Sequence, residues 1–232
     1  MNSEKVSVFL PCRKGSERVP KKNIKPFAHY PNGLIELKLR QLLEAKNIDE
    51  IYLSTNDNEI LKYASRIGDS RLVLHKRSEE LSSSQTSTDA LVDHAVELIE
   101  NGHILWTHAT SPFITAEKYD EIIKKYKLCL KEGYDSLMTT TLIYGFLWQD
   151  EKPLNYNRAI EKWPRTQTLK PIHEVNSGAF LASCNIYKTI KDRIGERPYL
   201  FELDKITSLD VDWPEDFKLA DIIARNYISP SY

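Results

Sequence analysis

Two groups of side chains in this chain have the types and spacing for chemistry on phosphates. The first is Arg13-Lys14-Gly15-Ser16-Glu17-Arg18-Val19-Pro20-Lys21-Lys22-Asn23-Ile24-Lys25, a run with six Lys/Arg that follows the apolar stretch 6–10. Gly15 lets the backbone approach an anion closely, and Arg13, Lys14, Arg18, Lys21 and Lys22 are charge-assisted donors suited to a triphosphate. Neither G-x-x-x-x-G-K-[ST] nor G-x-G-x-x-G is present, so no standard phosphate loop applies. The second group is Asp210-Val211-Asp212, just before Trp213-Pro214. Two carboxylates two residues apart point to one side of an extended backbone. They can hold Mg²⁺, a hard cation that takes one or two carboxylates plus substrate phosphates. Plainer readings exist for both: a solvated basic loop, and an Asp212 that caps the final helix beside a solvated Asp210.

The elements around these residues place them on one edge of a sheet. The β-branched run at 6–10 breaks into the Gly- and Pro-bearing basic loop, a strand ending in a loop. The carboxyl end of a strand is where open α/β sheets bind ligands. Helical spacing follows over 33–46, a strand over 50–55, a helix from a cap at Asn56 or Asp57 to about Ile67, and a short strand over 71–74. An amphipathic helix spans 88–100 with its cap at Ser87 or Thr88, then a strand over 103–107, a helix over 115–131 and a strand over 136–142. This alternation predicts an α/β fold, a three-layer sandwich with a mostly parallel, Rossmann-like nucleotide-binding sheet and right-handed crossovers. The periodicity weakens between residues 144 and 173, where Pro153, Pro164 and Pro171 accompany Trp148 and Trp163. A stretch of that length without structure is uncommon in a compact domain, so an excursion from the sheet is predicted there. A strand over 177–182 and a helix over 213–224, with Pro214 in its first turn, complete one domain over 1–232.

With 32 Lys+Arg against 33 Asp+Glu the net charge is −1, so no global field recruits nucleic acid or an anionic membrane, and any basic site is local. Cys12, Cys129 and Cys184 are odd in number and lack C-x-x-C spacing, which fits reduced thiols rather than a disulfide frame. Residues 1–5 lead into a strand without an apolar leader, and no run approaches transmembrane length. A soluble, cytoplasmic protein is expected.

The pattern Pro11-x-Arg13-x-Gly15-Ser16-x-x-x-Pro20-x-Lys22-Asn23 resembles the first signature of the CMP-sugar synthetases that activate acidic sugars, the acylneuraminate cytidylyltransferase family. The likeness extends in further blocks to Ala220. It implies nucleotide contacts from Arg13, Lys14, Gly15, Ser16, Lys22 and Asn23, with Arg13 and Lys22 also catalytic. The block 76–89 resembles the family's cytosine-reading segment, with Arg77 donating to the pyrimidine carbonyl and Ser87 or Thr88 as a neighbouring polar contact. Asp210-x-Asp212 is similar to the family's metal site before the last helix, which favours Mg²⁺ over the cap; Asp212 is also the candidate for assisting deprotonation.

His108-Ala109-Thr110-Ser111-Pro112 stands where the family commonly reads Gln-x-Thr-Ser-Pro, so His108, Thr110 and Ser111 are implied to meet the sugar, His108 as a hydrogen-bond donor. Arg165-x-Gln167-x-Leu169 and Asn176-Ser177-Gly178-Ala179 resemble a further pair of family blocks. They imply Arg165 at the substrate carboxylate, with Gln167 and Asn176 at the sugar. In the family the stretch at about 144–175 is a projecting arm used for dimerisation. The resemblance thus implies a homodimeric enzyme that joins CTP to an acidic α-keto sugar with Mg²⁺, releasing pyrophosphate, with no nucleic acid or membrane partner. Sialic, legionaminic and pseudaminic acids and a shorter octulosonate all satisfy it. A glycosyltransferase with a D-x-D metal site and a non-catalytic nucleotide sensor share the same broad features.

Overall fold

The computed structural model describes residues 5–83 and 85–228; residues 1–4, including most of the strand lead-in, and Ser84 in the cytosine-like block lie outside. The chain begins with β1 (Val6–Cys12), α1 (Gly33–Glu44), β2 (Glu50–Thr55), α2 (Asn58–Ala64) and β3 (Leu72–Lys76). There follow α3 (Thr88–Leu98), β4 (His103–Trp106), α4 (Ala116–Lys131), β5 (Ser136–Ile143), and a small hairpin of β6 (Trp148–Gln149) and β7 (Lys152–Pro153). The last elements are β8 (Ile172–Ser183), α5 (Cys184–Thr189), β9 (Pro198–Glu202) and α6 (Pro214–Tyr227). The seven-stranded sheet has the order β3-β2-β1-β4-β8-β5-β9. Neighbours are parallel except at β8, which runs antiparallel to both β4 and β5.

Alternation along the strands sends side chains to two separate cores. Val8 and Leu10 of β1, Leu105 of β4 and Leu181 of β8 pack with α1, α4 and α6. Phe9, Ile104, Trp106, Phe180 and Ala182 face the other way, against α3 and α5. Each large side chain so buried contributes about 1.5–3 kcal/mol. The result is the three-layer sandwich with a mostly parallel sheet that the alternation of elements predicts. No helix among the described residues is long and apolar enough to cross a membrane.

The structure corrects the reading of the second half. The strand expected over 177–182 begins at Ile172, inside the stretch assigned to the arm, and it is antiparallel because the chain returns through the hairpin rather than over a crossover helix. β9 and α5 were not expected. β9 is a five-residue edge strand that opens on Pro198, and α5 is only six residues long. The residues between β5 and β8 carry an aromatic cluster in which Phe146 meets Tyr156 at 5.2 Å and Trp163 at 5.3 Å between ring centres. The stretch nonetheless stays wet: Ile160 is 85% exposed, and Trp163 is 64% exposed even within the cluster.

Candidate active site

Chain order and sheet order part company at β1. From β1 the chain moves outward to β2 and β3, then crosses back to β4 on the other side. The carboxyl ends of β1 and β4 therefore flank a switch point, the natural crevice of an open α/β sheet. Two cavities open there. One, of about 500 Å³, is lined by Arg13, Ser16, Arg18, Lys22, Asn23 and Thr110 among others. The other, of about 870 Å³, lies between the ends of β5 and β8 and the loop before α6. Ser177, Asp210 and Asp212 line both cavities.

The basic loop does not act as one cluster. Gly15 sits at φ +79° with open space around its Cα, so it is the left-handed backbone, rather than crowding, that calls for glycine. Arg13, Arg18 and Lys22 line the smaller cavity. Lys21 turns away to Glu59 at 3.2 Å, and Lys25 lies over the Phe217 ring at 4.7 Å. Lys14 is exposed, while its backbone N–H donates to Asn56 at 2.8 Å and pins the loop to the end of β2. Asn23 donates to the Arg13 carbonyl at 3.5 Å, a long contact that bridges the two ends of the loop.

Between the carboxylates, Val211 is wholly buried. Its N–H donates to Thr110 O at 2.9 Å and its carbonyl accepts from Lys22 Nζ at 2.6 Å. This ties Asp210 and Asp212 to the ends of both β1 and β4. The cap reading of Asp212 fails: Trp213 is the N-cap of α6, and Asp216 accepts from the N–H groups of Trp213 at 2.7 Å and Asp212 at 3.1 Å. Asp212 Oδ1 instead accepts from Arg18 at 3.0 Å and Lys22 at 3.3 Å. Asp210 Oδ1 is buried without a hydrogen-bond partner. A buried carboxylate oxygen left unpaired costs about 1–3 kcal/mol or more, and among the described residues no hydrogen bond relieves that cost. The pair on one wall, one oxygen of it orphaned, fits a hard cation beside a phosphate.

Arg77 follows β3, is 3% exposed, and lines neither cavity. Its Nε donates to Ser82 Oγ at 3.1 Å, while its Nη1 is buried without a partner. Burial, aided by repulsion from Arg13, pulls its pKa below the usual arginine value. Cys12 next to it is pushed up to about 12 by burial, which leaves it a thiol and no nucleophile.

Ser87 and Thr88 are exposed at the start of α3, and Ser87 Oγ is engaged as the helix cap, accepting from Ala90 N–H at 3.1 Å. Ser111 is buried, with its Oγ lacking a partner. His108 lines the smaller cavity, but its expected role as a donor is corrected. Trp106 Nε1 donates to its Nε2 at 3.0 Å, so the proton is on Nδ1, which donates to Ser177 O at 3.0 Å. Burial lowers its pKa and keeps this ring neutral, with both nitrogens occupied.

Asn176 accepts from Thr139 Oγ1 at 2.5 Å and from Gly178 N–H at 3.2 Å, and donates to Thr141 Oγ1 at 3.0 Å, so it braces the β5–β8 junction as it lines the larger cavity. A Cβ on Gly178 would come within 2.7 Å of Thr139 Oγ1, which is why this close approach needs glycine. Arg165 and Gln167 are exposed around a short 3-10 turn at Thr166–Thr168, and neither lines these cavities.

Sequence reasoning missed Lys38. It is wholly buried on α1, and its Nζ donates to Ser111 O at 2.8 Å and Tyr119 Oη at 2.7 Å. Tyr119 in turn bonds Thr107 Oγ1, which donates to Gly178 O. Burial pulls the Lys38 pKa down to about 7, opposed by the charge of Asp210. A lysine amid the leucines of α1 was the available signal.

A mostly parallel sheet with a basic loop at the switch point and a D-x-D on the facing wall defines a nucleotide-handling α/β protein. The chain belongs to the cytidylyltransferase family, whose profile matches residues 7–160. It is 30% identical over 230 residues to a pseudaminic acid cytidylyltransferase of Campylobacter jejuni, covering 94% of this chain and 95% of that one. It is 28% identical over 228 residues to N-acylneuraminate cytidylyltransferase A of Danio rerio, covering 94% of this chain but only 50% of the relative. Among solved structures, a CMP:2-keto-3-deoxy-manno-octonic acid synthetase complexed with CTP superposes with a TM-score of 0.67 at 15% identity, covering 96% of this chain and 100% of that one. A 4-diphosphocytidyl-2C-methyl-D-erythritol synthase from Anaerococcus prevotii superposes with a TM-score of 0.64 at 14% identity, over 97% of each chain. At these identities the structures speak for the fold.

Proposed function

We propose that this chain joins CTP to an acidic α-keto sugar, releasing pyrophosphate and forming a CMP-sugar. The observation that carries the reading is the shared wall: Asp210, Asp212 and Ser177 line both the cavity that holds the basic loop and the larger cavity beside it. A triphosphate in the first and a sugar in the second would meet there. The relatives' names favour a nonulosonic acid of the N-acylneuraminate or pseudaminic type as the sugar.

In this reading Arg13, Arg18 and Lys22 hold the triphosphate, with Ser16, Asn23 and the Gly15 backbone completing the cradle, and the unpartnered Nη1 of Arg77 meets the pyrimidine carbonyl. Ser87, Thr88 and Thr110 add polar contacts to base or sugar, and Gln167, outside both cavities, takes no part. The anomeric hydroxyl oxygen attacks the α-phosphorus as the bond to the β-phosphate oxygen breaks, and the hydroxyl proton passes to Asp212 or water. Mg²⁺ on Asp210 and Asp212 would supply neutralisation of the charge on the departing pyrophosphate. Arg18 and Lys22, already on Asp212, stand ready to stabilise the same charge without reorganising. Positioning supplies the rest, and no covalent nucleophile is called for.

The exposed aromatic and apolar side chains between β5 and β8 support a homodimer in which that stretch is covered. The test of the function is pyrophosphate release with CTP, Mg²⁺ and a panel of nonulosonates and an octulosonate. Release with at least one acid and none without it is expected. Release with no acid, or sugar transfer from a finished CMP-sugar instead, would overturn the reading.

A further inference from the structure

The larger cavity presents one cationic side chain among its lining residues, Lys205. The turn that carries it is firmly built. The Asp204 carboxylate accepts from Ile206 N–H at 2.9 Å, Thr207 N–H at 3.0 Å and Thr207 Oγ1 at 2.6 Å, and Ser208 N–H closes on Asp204 O at 2.9 Å. Lys205 is exposed, and among the described residues its ammonium makes no ion pair or hydrogen bond. The remaining polar side chains of this lining, Ser177, Ser208, Tyr144 and Asn176 among them, carry no positive charge. Asn176 is committed to Thr139, Thr141 and Gly178. His108 lines the smaller cavity instead, and both its nitrogens are taken. Arg165, which the family resemblance points to, lies outside the lining. Glu174 lines the same cavity and would repel a carboxylate.

Chemistry restricts where the carboxylate can go. In the ring form of an α-keto acid, the carboxylate and the attacking hydroxyl are borne by the same carbon. A group that reads the carboxylate must therefore stand near the wall where the hydroxyl meets the α-phosphate, and Lys205 lies on the loop that runs into Asp210. We propose that Lys205 is a specificity-determining residue that receives the carboxylate of the sugar acid. This rests on the proposed function.

The test compares wild type, Lys205→Gln and Lys205→Arg by pyrophosphate release, with the best acid of the panel and with its carboxamide analogue. Losing a charge-assisted contact should raise KM for the acid about ten- to a hundredfold in Lys205→Gln, with KM for CTP within about twofold of wild type. Lys205→Arg should recover most of that loss. Wild type should prefer acid over carboxamide, and Lys205→Gln should largely lose this preference. A purely structural role would not move the acid-to-carboxamide ratio. An unchanged KM for the acid in Lys205→Gln, or an equal rise with both substrates, overturns the proposal while leaving the function standing. No release by wild type with any acid overturns both.

Discussion

Replacing Asp210 or Asp212 by Asn separates catalysis from stability at this site. Asp212 Oδ1 pairs with Arg18, both side chains being over two-fifths exposed, and with the better-buried Lys22. Exposed pairs of this kind contribute about 0–1 kcal/mol, so Asp212→Asn should cost little. At Asp210 two effects oppose. Asn relieves an unpartnered buried carboxylate oxygen but removes the charge that favours the buried Lys38 ammonium. Each is of the order of 1–3 kcal/mol, and the net should stay within about 1 kcal/mol, a few degrees in melting temperature for a chain of this length. Turnover should fall ~10²-fold or more in each variant, about 2.7 kcal/mol of transition-state stabilisation, because a charge placed for the pyrophosphate is gone. Pyrophosphate release over a range of Mg²⁺ concentrations, measured beside thermal melts, reads both quantities. Near-normal turnover in both variants, or losses of activity that track losses of stability, would refute the reasoning.

Arg77→Met should raise KM for CTP at least tenfold with little loss of stability, since a buried guanidinium with a free Nη1 contributes little to folding. A large fall in melting temperature with KM unchanged would count against it. Wild type should prefer CTP over UTP, ATP and GTP, and equal turnover with UTP would undo the cytosine assignment. Light scattering at assay concentrations should find a dimer; only a 26.9 kDa species would remove the proposed assembly. His94, buried on Ser54 at 2.9 Å, is pulled by burial to about 4. Its folded form therefore resists protonation, and stability present above about pH 6.5 is lost as pH falls towards 4, by up to about 3 kcal/mol. His94→Gln should flatten melting curves in that window, and an unchanged slope would refute the assignment.

Local pattern carried most of the first half of the molecule. The apolar run of β1, the breaks at Gly15 and Pro20, the spacing in α1, α3 and α4 and the Ser87 cap are all short-range signals, and the elements formed where they pointed. The same-side placement of Asp210 and Asp212 also follows from extended backbone alone. Strand direction does not. An apolar stretch such as 177–182 reads the same whichever way it runs, and β8 is antiparallel because of the return path between β5 and β8. Of the brief β9 only Phe201 is buried, too weak a pattern to stand out.

What the sequence determined by itself was the kind of chemistry, because a basic loop after a first strand and a D-x-D before a last helix are local arrangements of charge. Only the tertiary structure decided which of those charges converge. It sent Lys21 and Lys25 away from the cavity, occupied both nitrogens of His108, made Trp213 rather than Asp212 the cap, and buried Lys38 under the site. These outcomes depend on partners far along the chain, and a side chain's free valence is known only once every neighbour has been placed.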